Sequence, residues 1–324
     1  MSEDILKQIE RELENISYGS QPESLYNPIR YILSLGGKRL RPILVLLSGR
    51  TFSATNDQNL FNMGAVAEVF HNFSLMHDDI MDNAPLRRGK PTVHEKWNAN
   101  TAILSGDVML VLAYQLLAQL PAEKLAYCLD AFNQVAREVC EGQQFDMEFE
   151  NSNQVSVDDY LEMIRLKTAV LLGFCCKTGA HLGGADPEDT QLFYQFGENI
   201  GLGFQLMDDY LDVFGDASKV GKRVGGDIVS NKKTFLLIQA LMLAKDNDLI
   251  QLQYWLQIAD VEKQQEKIDF VTSLYRKLCI DQQARQLADN YFQTGFECLA
   301  KLSVGRDKAI EIVQFAKLLM QRDK

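Results

Sequence analysis

The sequence predicts an all-α fold, and three observations support this prediction. Apolar residues recur every three or four positions along most of the chain. Prolines fall between the apolar stretches, where proline and the residue before it commonly mark helix ends. Alternating runs of β-branched residues are almost absent and there is no Asn-Gly turn, so strands are not expected.

The helices can be placed in chain order. Amphipathic stripes begin at Ile5 and, near the other end, at Val261. Between them, long apolar-rich stretches predict helices at 57–82, 101–120, 123–150, 157–182 and 188–214. Linkers, low-complexity segments and short repeats are missing from the sequence. We therefore expect one all-α domain over residues 1–324, a bundle of roughly ten or more helices.

Length and composition limit the class of protein. A chain of 324 residues can bury a sizeable core, and its net charge of −11 argues against a broad nucleic-acid surface. No apolar run approaches the ~20 residues that span a bilayer, and the first residues do not resemble a signal peptide. The six cysteines show no CxxC spacing, so we expect buried free thiols and a cytoplasmic protein.

Two short runs of aspartate point to the chemistry. They are Asp78-Asp79-Ile80-Met81-Asp82 and Asp208-Asp209-Tyr210-Leu211-Asp212. On a helix, the first and last carboxylates of each run lie one turn apart on one face. Three such anions repel one another unless a cation lies among them. Carboxylates suit Mg²⁺, which completes its shell with substrate phosphate oxygens when one or two carboxylates bind it. The runs therefore predict a diphosphate held by Mg²⁺.

A solvated acidic helix face is the alternative for a single run. At background aspartate usage, one such motif arises by chance in ~7% of chains of this length, and two copies in well under ~1%. Both runs also follow apolar sequence, which includes Phe70 and Phe73 before the first and Phe204 and Leu206 before the second. A charge cluster on an apolar helix is costly without a metal or ligand, so we interpret both runs as metal-binding.

Cationic residues occur in three segments close to these runs. The glycine-rich segment 36–42 carries Lys38 and Arg41, three residues apart, where they can share one helical face. Arg87 and Arg88 follow the first run, after Pro85 should have ended the helix, and adjacent arginines can serve two phosphate groups. The glycine-containing segment after the second run, expected to form a flexible lid, supplies Lys222 and Lys232.

One histidine is placed to join this group. His71 lies seven residues before Asp78, two helical turns away on nearly the same face. A histidine on an apolar helix is more often an ordinary core residue, and we interpret His77, His94 and His181 in that way.

Together these motifs resemble those of the trans-isoprenyl diphosphate synthases, head-to-tail prenyltransferases of the farnesyl and geranylgeranyl type. The matching segments are Gly-Gly-Lys-Arg-x-Arg-Pro, His-x-x-Ser-Leu-x-His-Asp-Asp-x-x-Asp, Arg-Arg-Gly, Lys-Thr and Phe-Gln-x-x-Asp-Asp-x-x-Asp. They follow the family's order and spacing from about residue 24 to residue 240. The resemblance implies the isoprenoid synthase fold around a deep central cavity, usually as a homodimer.

The resemblance also implies roles for individual residues. About three Mg²⁺ ions would be bound with diphosphate, bridging the two motifs through Asp78, Asp79, Asp82, Asp208, Asp209 and Asp212. The allylic diphosphate would contact Arg87, Lys167 and Lys222. Isopentenyl diphosphate would bind Lys38, Arg41, His71 and Arg88. Thr168 and Gln205 would line the reacting centre, and Lys232 would close over it. The segment Gly142-Gln143-x-x-Asp146 resembles a cavity-facing motif of the family.

The reaction implied by the resemblance is ionisation, condensation and elimination. Neutralising the diphosphate of a dimethylallyl, geranyl or farnesyl substrate lets its C–O bond break to give an allylic cation. The double bond of isopentenyl diphosphate attacks that cation, and proton loss to the departed diphosphate gives a longer trans product. Terpene cyclases also ionise such substrates but need no second diphosphate site, so Lys38, Arg41 and Arg88 argue against a cyclase. A non-catalytic homologue is disfavoured because both Asp motifs are retained.

Product length is expected to depend on the helix before Asp78. Ser74, one turn back, is small, whereas Phe73 and Phe70 lie about 7 and 12 Å from Asp78 along the axis and are expected to form a floor. Ordinary core packing is the alternative for both rings. In the family, an aromatic residue five positions before the motif and a small one at four resemble geranylgeranyl-type synthases. We expect a twenty-carbon product, with fifteen carbons next and longer chains third.

Overall fold

The computed structural model describes residues 3–52, 57–152, 154–215, 224–258 and 260–320, which are almost entirely helical. The α-helices are α1 (Glu3–Glu14), α2 (Glu23–Ser34), α3 (Leu40–Arg50), α4 (Asp57–Met81), α5 (Val93–Lys96), α6 (Ala99–Leu117), α7 (Ala122–Asn151), α8 (Val157–Ile164), α9 (Val170–Gly183), α10 (Pro187–Phe214), α11 (Gly226–Val229), α12 (Phe235–Leu243), α13 (Asp246–Gln257), α14 (Gln264–Lys277), α15 (Ile280–Leu299) and α16 (Ile310–Met320). A π-helical turn spans Arg165–Ala169, and short 3₁₀ helices span Val261–Lys263 and Arg306–Ala309. The prediction of an all-α fold is confirmed.

One predicted helix is interrupted. The stretch 157–182 forms α8 and α9 with the π-helical turn Arg165–Ala169 between them. Gly142 of α7 lies against the backbone of Lys167, so close that a Cβ atom there would clash with the Lys167 nitrogen. The extra residue of a π turn locally changes the direction of side chains, and such turns are frequent at functional sites. It falls on the Lys-Thr pair that the sequence singles out.

A short hairpin occurs where the sequence predicts only a loop. Strands β1 (Leu86–Arg87) and β2 (Lys90–Pro91) pair antiparallel around Arg88 and Gly89. Both turn residues have positive φ, 53° and 73°, as in the tight turns that suit two-residue hairpins. The prediction missed it because Arg-Gly replaces the usual Asn-Gly. The turn separates the directions of Arg87 and Arg88.

The prediction that all cysteines are buried is wrong for two of them. Cys128, Cys175, Cys176 and Cys298 are buried, and all six thiols are free as predicted. Cys140 lies on an exposed face of α7, and Cys279 lies at the left-handed junction (φ 55°) between α14 and α15. An apolar helical pattern does not by itself show which of its faces is covered.

The chain forms two compact units. The first comprises Met1–Val135, Leu171–Tyr194 and Leu299–Gln314, and the second comprises Ala136–Val170, Gln195–Cys298 and Phe315–Lys324. In the first unit, α4 packs against α3 and α6, with α1 and α2 beside it. In the second, α11 packs on α14 and α12 packs on α8. That residues 1–324 form a single domain stays a prediction.

Helix α6 is long and apolar enough to cross a membrane by length and composition, and it is the one such helix among the described residues. Its buried residues recur at spacings of three and four: Ala102, Ser105, Gly106, Met109, Leu112, Ala113, Leu116 and Leu117. This stripe faces α4, which is typical of a helix packed in a protein core.

Candidate active site

The first Asp motif lies at the carboxyl end of α4. The amide of Asp82 donates to the carbonyl of Asp78 at 2.9 Å, and the helix ends at Met81, two residues before Asn83, whose φ is 49°. Asp78 is half-buried, Asp82 is exposed and Asp79 is only 2% exposed. The three carboxylates therefore occupy different environments, which their equal spacing in the sequence did not indicate.

Asp79 forms a two-pronged ion pair with Arg87 of the hairpin. Arg87 Nε and Nη2 donate to the two carboxylate oxygens at 2.8 and 2.7 Å, and Nη2 lies 3.8 Å from Oδ2 of Asp78. Burial raises the pKa of Asp79, and the guanidinium opposes that rise. Asp79 therefore anchors Arg87 beside the motif, while Asp78 and Asp82 keep the more open positions.

The second motif, on α10, is built in the same way. Asp209 is 6% exposed; it accepts from the Tyr160 hydroxyl at 2.7 Å and from Gln205 Nε2 at 2.9 Å. Burial raises the pKa of Asp209, and the nearby charge of Lys232 lowers it. Asp208 is exposed and Asp212 is half-buried. In both motifs the second aspartate is buried and is bonded to protein side chains, and the outer two are more accessible.

The two residues of the Lys-Thr pair in the π turn each contact a segment that the sequence also identifies. Thr168 Oγ1 donates to Gln205 Oε1 at 3.2 Å, which extends the hydrogen-bond chain to Asp209. Lys167 Nζ lies 2.6 Å from Oδ2 of Asp146. The structure thus brings Thr168, Gln205 and Asp209 into one hydrogen-bond network within the second unit, and Asp146 holds the adjacent Lys167 in place.

The third cationic segment is described in part. Lys222 lies outside the described residues. Lys232 follows α11, and its amide donates to the carbonyl of Asp227 at 2.9 Å. The carboxylate of Asp212 accepts from the Asp227 amide at 2.9 Å. The backbone that carries Lys232 is therefore tied directly to the second Asp motif.

The donor set of the two motifs fits Mg²⁺ that binds together with its substrate. Carboxylate oxygens are the hard ligands this ion prefers. Within the described part of the chain, however, no group of three or more His, Cys, Asp or Glu side chains is arranged to hold a metal. Because Asp79 and Asp209 are engaged by protein donors, substrate oxygens would have to complete the coordination shell.

The remaining predicted cationic residues lie in the first unit. The guanidinium of Arg88 lies against Gly37, where a Cβ atom would come 2.9 Å from Nη2. Arg41 is half-buried with its Nε buried and unbonded. Burial, followed by the charges of Arg41, Arg87, Arg88 and Arg39, holds the pKa of His71 well below its usual range. Lys38 is exposed at the start of the same segment. This concentration of positive charge is suited to bind a polyanion.

Arg39, between Lys38 and Arg41, has a different role that the sequence did not reveal. It is 4% exposed and donates to Glu68 at 2.7 Å and to Glu10 at 2.8 Å. Its backbone is left-handed, with φ 46°. The buried pair with Glu68 on α4 fixes the loop, so that Lys38 and Arg41 flank it.

Comparison with known proteins decides which family this arrangement belongs to. The family model for polyprenyl synthetase matches residues 22–274. The chain belongs to the polyprenyl synthetase family. A protein named geranylgeranyl diphosphate synthase from Sulfolobus acidocaldarius is 36% identical over 288 residues, which cover 87% of this chain and 86% of that protein. One named geranylfarnesyl diphosphate synthase from Natronomonas pharaonis is 36% identical over 252 residues, covering 71% and 74%.

Solved structures agree with this assignment. A crystal structure of a geranylgeranyl pyrophosphate synthase matches with a TM-score of 0.91 and 40% identity, covering 99% of this chain and 97% of that one. The predicted family, the isoprenyl synthase fold and the prediction of a prenyl-transferring enzyme are confirmed. Members of this family bind diphosphates with a divalent metal.

The neutral state of His71 in this polyprenyl synthetase predicts a pH effect on stability. The pKa of His71 is lowered in the folded protein. Below pH ~6.5 this side chain therefore takes up a proton in the unfolded chain but stays neutral in the folded protein. Stability should therefore fall as the pH drops through this range, by about 1 kcal/mol at pH 5.5. The His71→Gln variant should lack this fall in the free energy of unfolding when urea unfolding is measured at pH 7.5 and 5.5. Equal losses in both proteins would contradict the assignment.

The predicted chain-length residues lie in an aromatic cluster of the synthetase's first unit. Phe70 is fully buried and Phe73 nearly so, with ring centroids 5.6 Å apart. Phe132 of α7 packs edge-on against Phe70 at 5.3 Å, a partner that the sequence did not indicate. Ser74 is half-buried, and its hydroxyl donates to the His71 carbonyl at 2.8 Å. That Phe70, Phe73 and Ser74 set the product length stays a prediction.

Two of the other histidines pack against aromatic rings. His77 packs on Phe73 at 4.7 Å and its Nε2 lies 3.2 Å from the Ile103 carbonyl. His181 stacks on Tyr127 at 3.9 Å. A cavity of about 660 Å³ in the same unit is lined by α1, α2 and the loops that follow them, including Glu10 and Arg39, and not by the Asp motif.

Proposed function

We propose that this polyprenyl synthetase condenses isopentenyl diphosphate with an allylic diphosphate to give chiefly geranylgeranyl diphosphate. The observation that carries the proposal is the pair of separate cation positions in the first unit. Arg87 is paired with Asp79 of the Asp motif, whereas the Arg88 guanidinium lies against Gly37 of the glycine-rich segment. Two such positions serve two diphosphates, and a terpene cyclase does not need the second position. The names of its relatives agree with this substrate class.

Mg²⁺ would be held by the accessible carboxylates of each motif, Asp78 and Asp82 in the first and Asp208 and Asp212 in the second. About three ions per site are proposed once diphosphate is bound. When bound, the metal offsets the charge of the allylic diphosphate and makes it a competent leaving group. Asp79 and Asp209 support the site indirectly, through Arg87 and through the Gln205–Thr168 chain.

Side chains of the protein bind the two diphosphates and exclude water. Arg87 and Lys167 bind the allylic diphosphate, and Lys222 is proposed to join them. Lys38, Arg41, Arg88 and neutral His71 bind isopentenyl diphosphate and hold its double bond in reach. Lys232 closes over the second motif, where its charge lowers the pKa of Asp209. The apolar wall of Phe70 and Phe73 excludes water that would quench the cation.

A direct test follows the release of diphosphate by the purified protein. Diphosphate should appear when isopentenyl diphosphate, an allylic diphosphate and Mg²⁺ are all present, and should not appear when any of the three is omitted. Release from a prenyl diphosphate alone would indicate a cyclase. Release under neither condition would indicate a non-catalytic homologue.

The two diphosphate positions should also separate kinetically. Lys38→Ala should raise the KM for isopentenyl diphosphate by about tenfold, since one charge-assisted contact contributes roughly 1.5 kcal/mol. Arg87→Ala should act instead on the allylic substrate and on kcat. Identical defects towards both substrates in the two variants would contradict this division of the cations.

We further propose a cytoplasmic homodimer formed through the outer face of α6. Ile103, Leu104, Val111 and Tyr114 expose apolar surface along this helix, Leu104 by 59% and Val111 by 55%. A second copy of the chain is the occupant whose identical helix would match this face.

The dimer can be tested by charge substitution. The double variant Leu104→Glu, Val111→Glu should convert a dimer into a monomer when mass is measured by size-exclusion chromatography with light scattering, because two buried charges would face each other. Leu318→Glu, at a comparably exposed leucine of α16, serves as the control and should leave the mass unchanged. A wild type that elutes as a monomer would contradict the proposal.

A further inference from the structure

A buried lysine on α14 supports the backbone that carries Lys232. Lys267 is 2% exposed, and its Nζ donates to Asn231 Oδ1 at 2.6 Å and to the Val229 carbonyl at 3.2 Å. Both acceptors are neutral oxygens. An ammonium group buried against neutral partners is costly, and burial lowers the pKa of Lys267 accordingly.

The segment it holds leaves helix α11 through a left-handed residue. Asn231 is left-handed, with φ 56°, and its Nδ2 donates to the Leu256 carbonyl of α13 at 2.9 Å. The amide of Asn231 donates to Ile228 at 3.2 Å, and that of Thr234 donates to Lys232 at 2.8 Å. Lys267 therefore joins the end of α11 to the left-handed residue directly before Lys232.

The other end of the segment is attached to the second Asp motif. The amides of Gly225 and Asp227 donate to the carbonyl and the carboxylate of Asp212, at 2.6 and 2.9 Å. Gly225 also contacts Ile268, the neighbour of Lys267, so closely that a Cβ atom there would lie 2.8 Å from the isoleucine side chain. Residues 224–234 are thus held at one end by a proposed metal ligand and at the other by α14.

We propose that Lys267 is a positioning residue for the reaction: through Asn231 it sets the place of Lys232 over the second Asp motif. This rests on the proposed function, because Lys232 acts there on the substrate diphosphate. The ammonium does not touch substrate or metal. Its contribution is to limit the conformations of the backbone of residues 224–234, so that Lys232 is already in position when substrate binds.

The test combines kinetics with hydrogen exchange on the full-length protein. Lys267→Met keeps the length of the side chain and removes the donor, and it should lower kcat about ten- to a hundredfold with little change in the KM for isopentenyl diphosphate. Amides in the peptide covering 224–234 should exchange at least about tenfold faster. Thr272→Val on the same helix is the matched control, since the buried Thr272 hydroxyl has no hydrogen-bond partner among the described residues. It should change neither measurement.

A double-variant cycle shows whether Lys267 acts through Lys232. In a Lys232→Ala background, Lys267→Met should lower kcat less than twofold further, because its target is gone. The same factor in both backgrounds, or unchanged exchange in 224–234, would overturn the proposal. Asn231→Gly keeps the left-handed backbone and removes the acceptor, so it should repeat the Lys267→Met phenotype even if that variant folds poorly. Hydrogen exchange needs no substrate, so failure of the proposed reaction in the wild type is distinguished from failure of this inference.

Discussion

Replacing Asp78 or Asp208 with alanine should lower kcat by at least about a thousandfold while the helical fold remains intact. These carboxylates occupy the accessible outer positions of the two motifs, where their role is to bind Mg²⁺ with the substrate. Each also repels its neighbouring aspartate, so its removal should leave the melting temperature of the metal-free protein unchanged or slightly raised. Steady-state kinetics and thermal unfolding without metal measure the two effects separately.

The neighbouring aspartates provide matched controls with a different expected outcome. Asp79→Ala leaves Arg87 without its two-pronged partner, and Asp209→Ala leaves the Tyr160 hydroxyl and Gln205 unsatisfied. Both should lower the free energy of unfolding by about 2 kcal/mol. If Asp78→Ala destabilised the protein as much as Asp79→Ala, or kept near-normal turnover, the division into outer ligands and inner anchors would be wrong.

Phe73→Ala should shift the main product from twenty carbons to longer chains. The ring lies one and a half turns before Asp78, and removing it opens space beside this helix, where the growing chain is expected to run. Because Phe73 also packs on Phe70 and His77, a loss of stability of about 3 kcal/mol is expected as well. Chromatography of the dephosphorylated products measures chain length independently of this loss.

Leu75→Ala is the control for the length prediction. Leu75 is half-buried on the same helix, about 200° around the axis from Phe73, and its truncation should not alter product length. If Phe73→Ala left the product distribution unchanged, Phe73 would be ordinary core packing and not the floor of the site.

The long helices could be predicted because apolar residues that recur every three or four positions are typical of an amphipathic helix. The predicted stretch 57–82 forms α4, and 188–214 forms α10 within one residue at each end. The break at Arg165–Ala169 could not be predicted, because it depends on close approach of Gly142, more than twenty residues away. The hairpin at Arg88 and Gly89 was missed for a local reason, since its turn residues are not those that usually mark such turns.

The candidate site shows the same limit. The Asp motifs and the cationic segments were found from the sequence because their spacing carries the chemistry. Their supporting partners were not found: Tyr160 reaches Asp209 across 49 positions, and Glu68 reaches Arg39 across 29. Spacing predicts which residues share a helix face, but it does not show which residue of another element will meet them. Lys267 was missed for the same reason.

The product formed from dimethylallyl diphosphate and excess isopentenyl diphosphate with Mg²⁺ tests the central claim most directly. The account predicts that chromatography after dephosphorylation will show a twenty-carbon all-trans alcohol as the main species, with none formed when isopentenyl diphosphate is omitted. Formation of a cyclic hydrocarbon, or no elongation of any allylic primer, would contradict it.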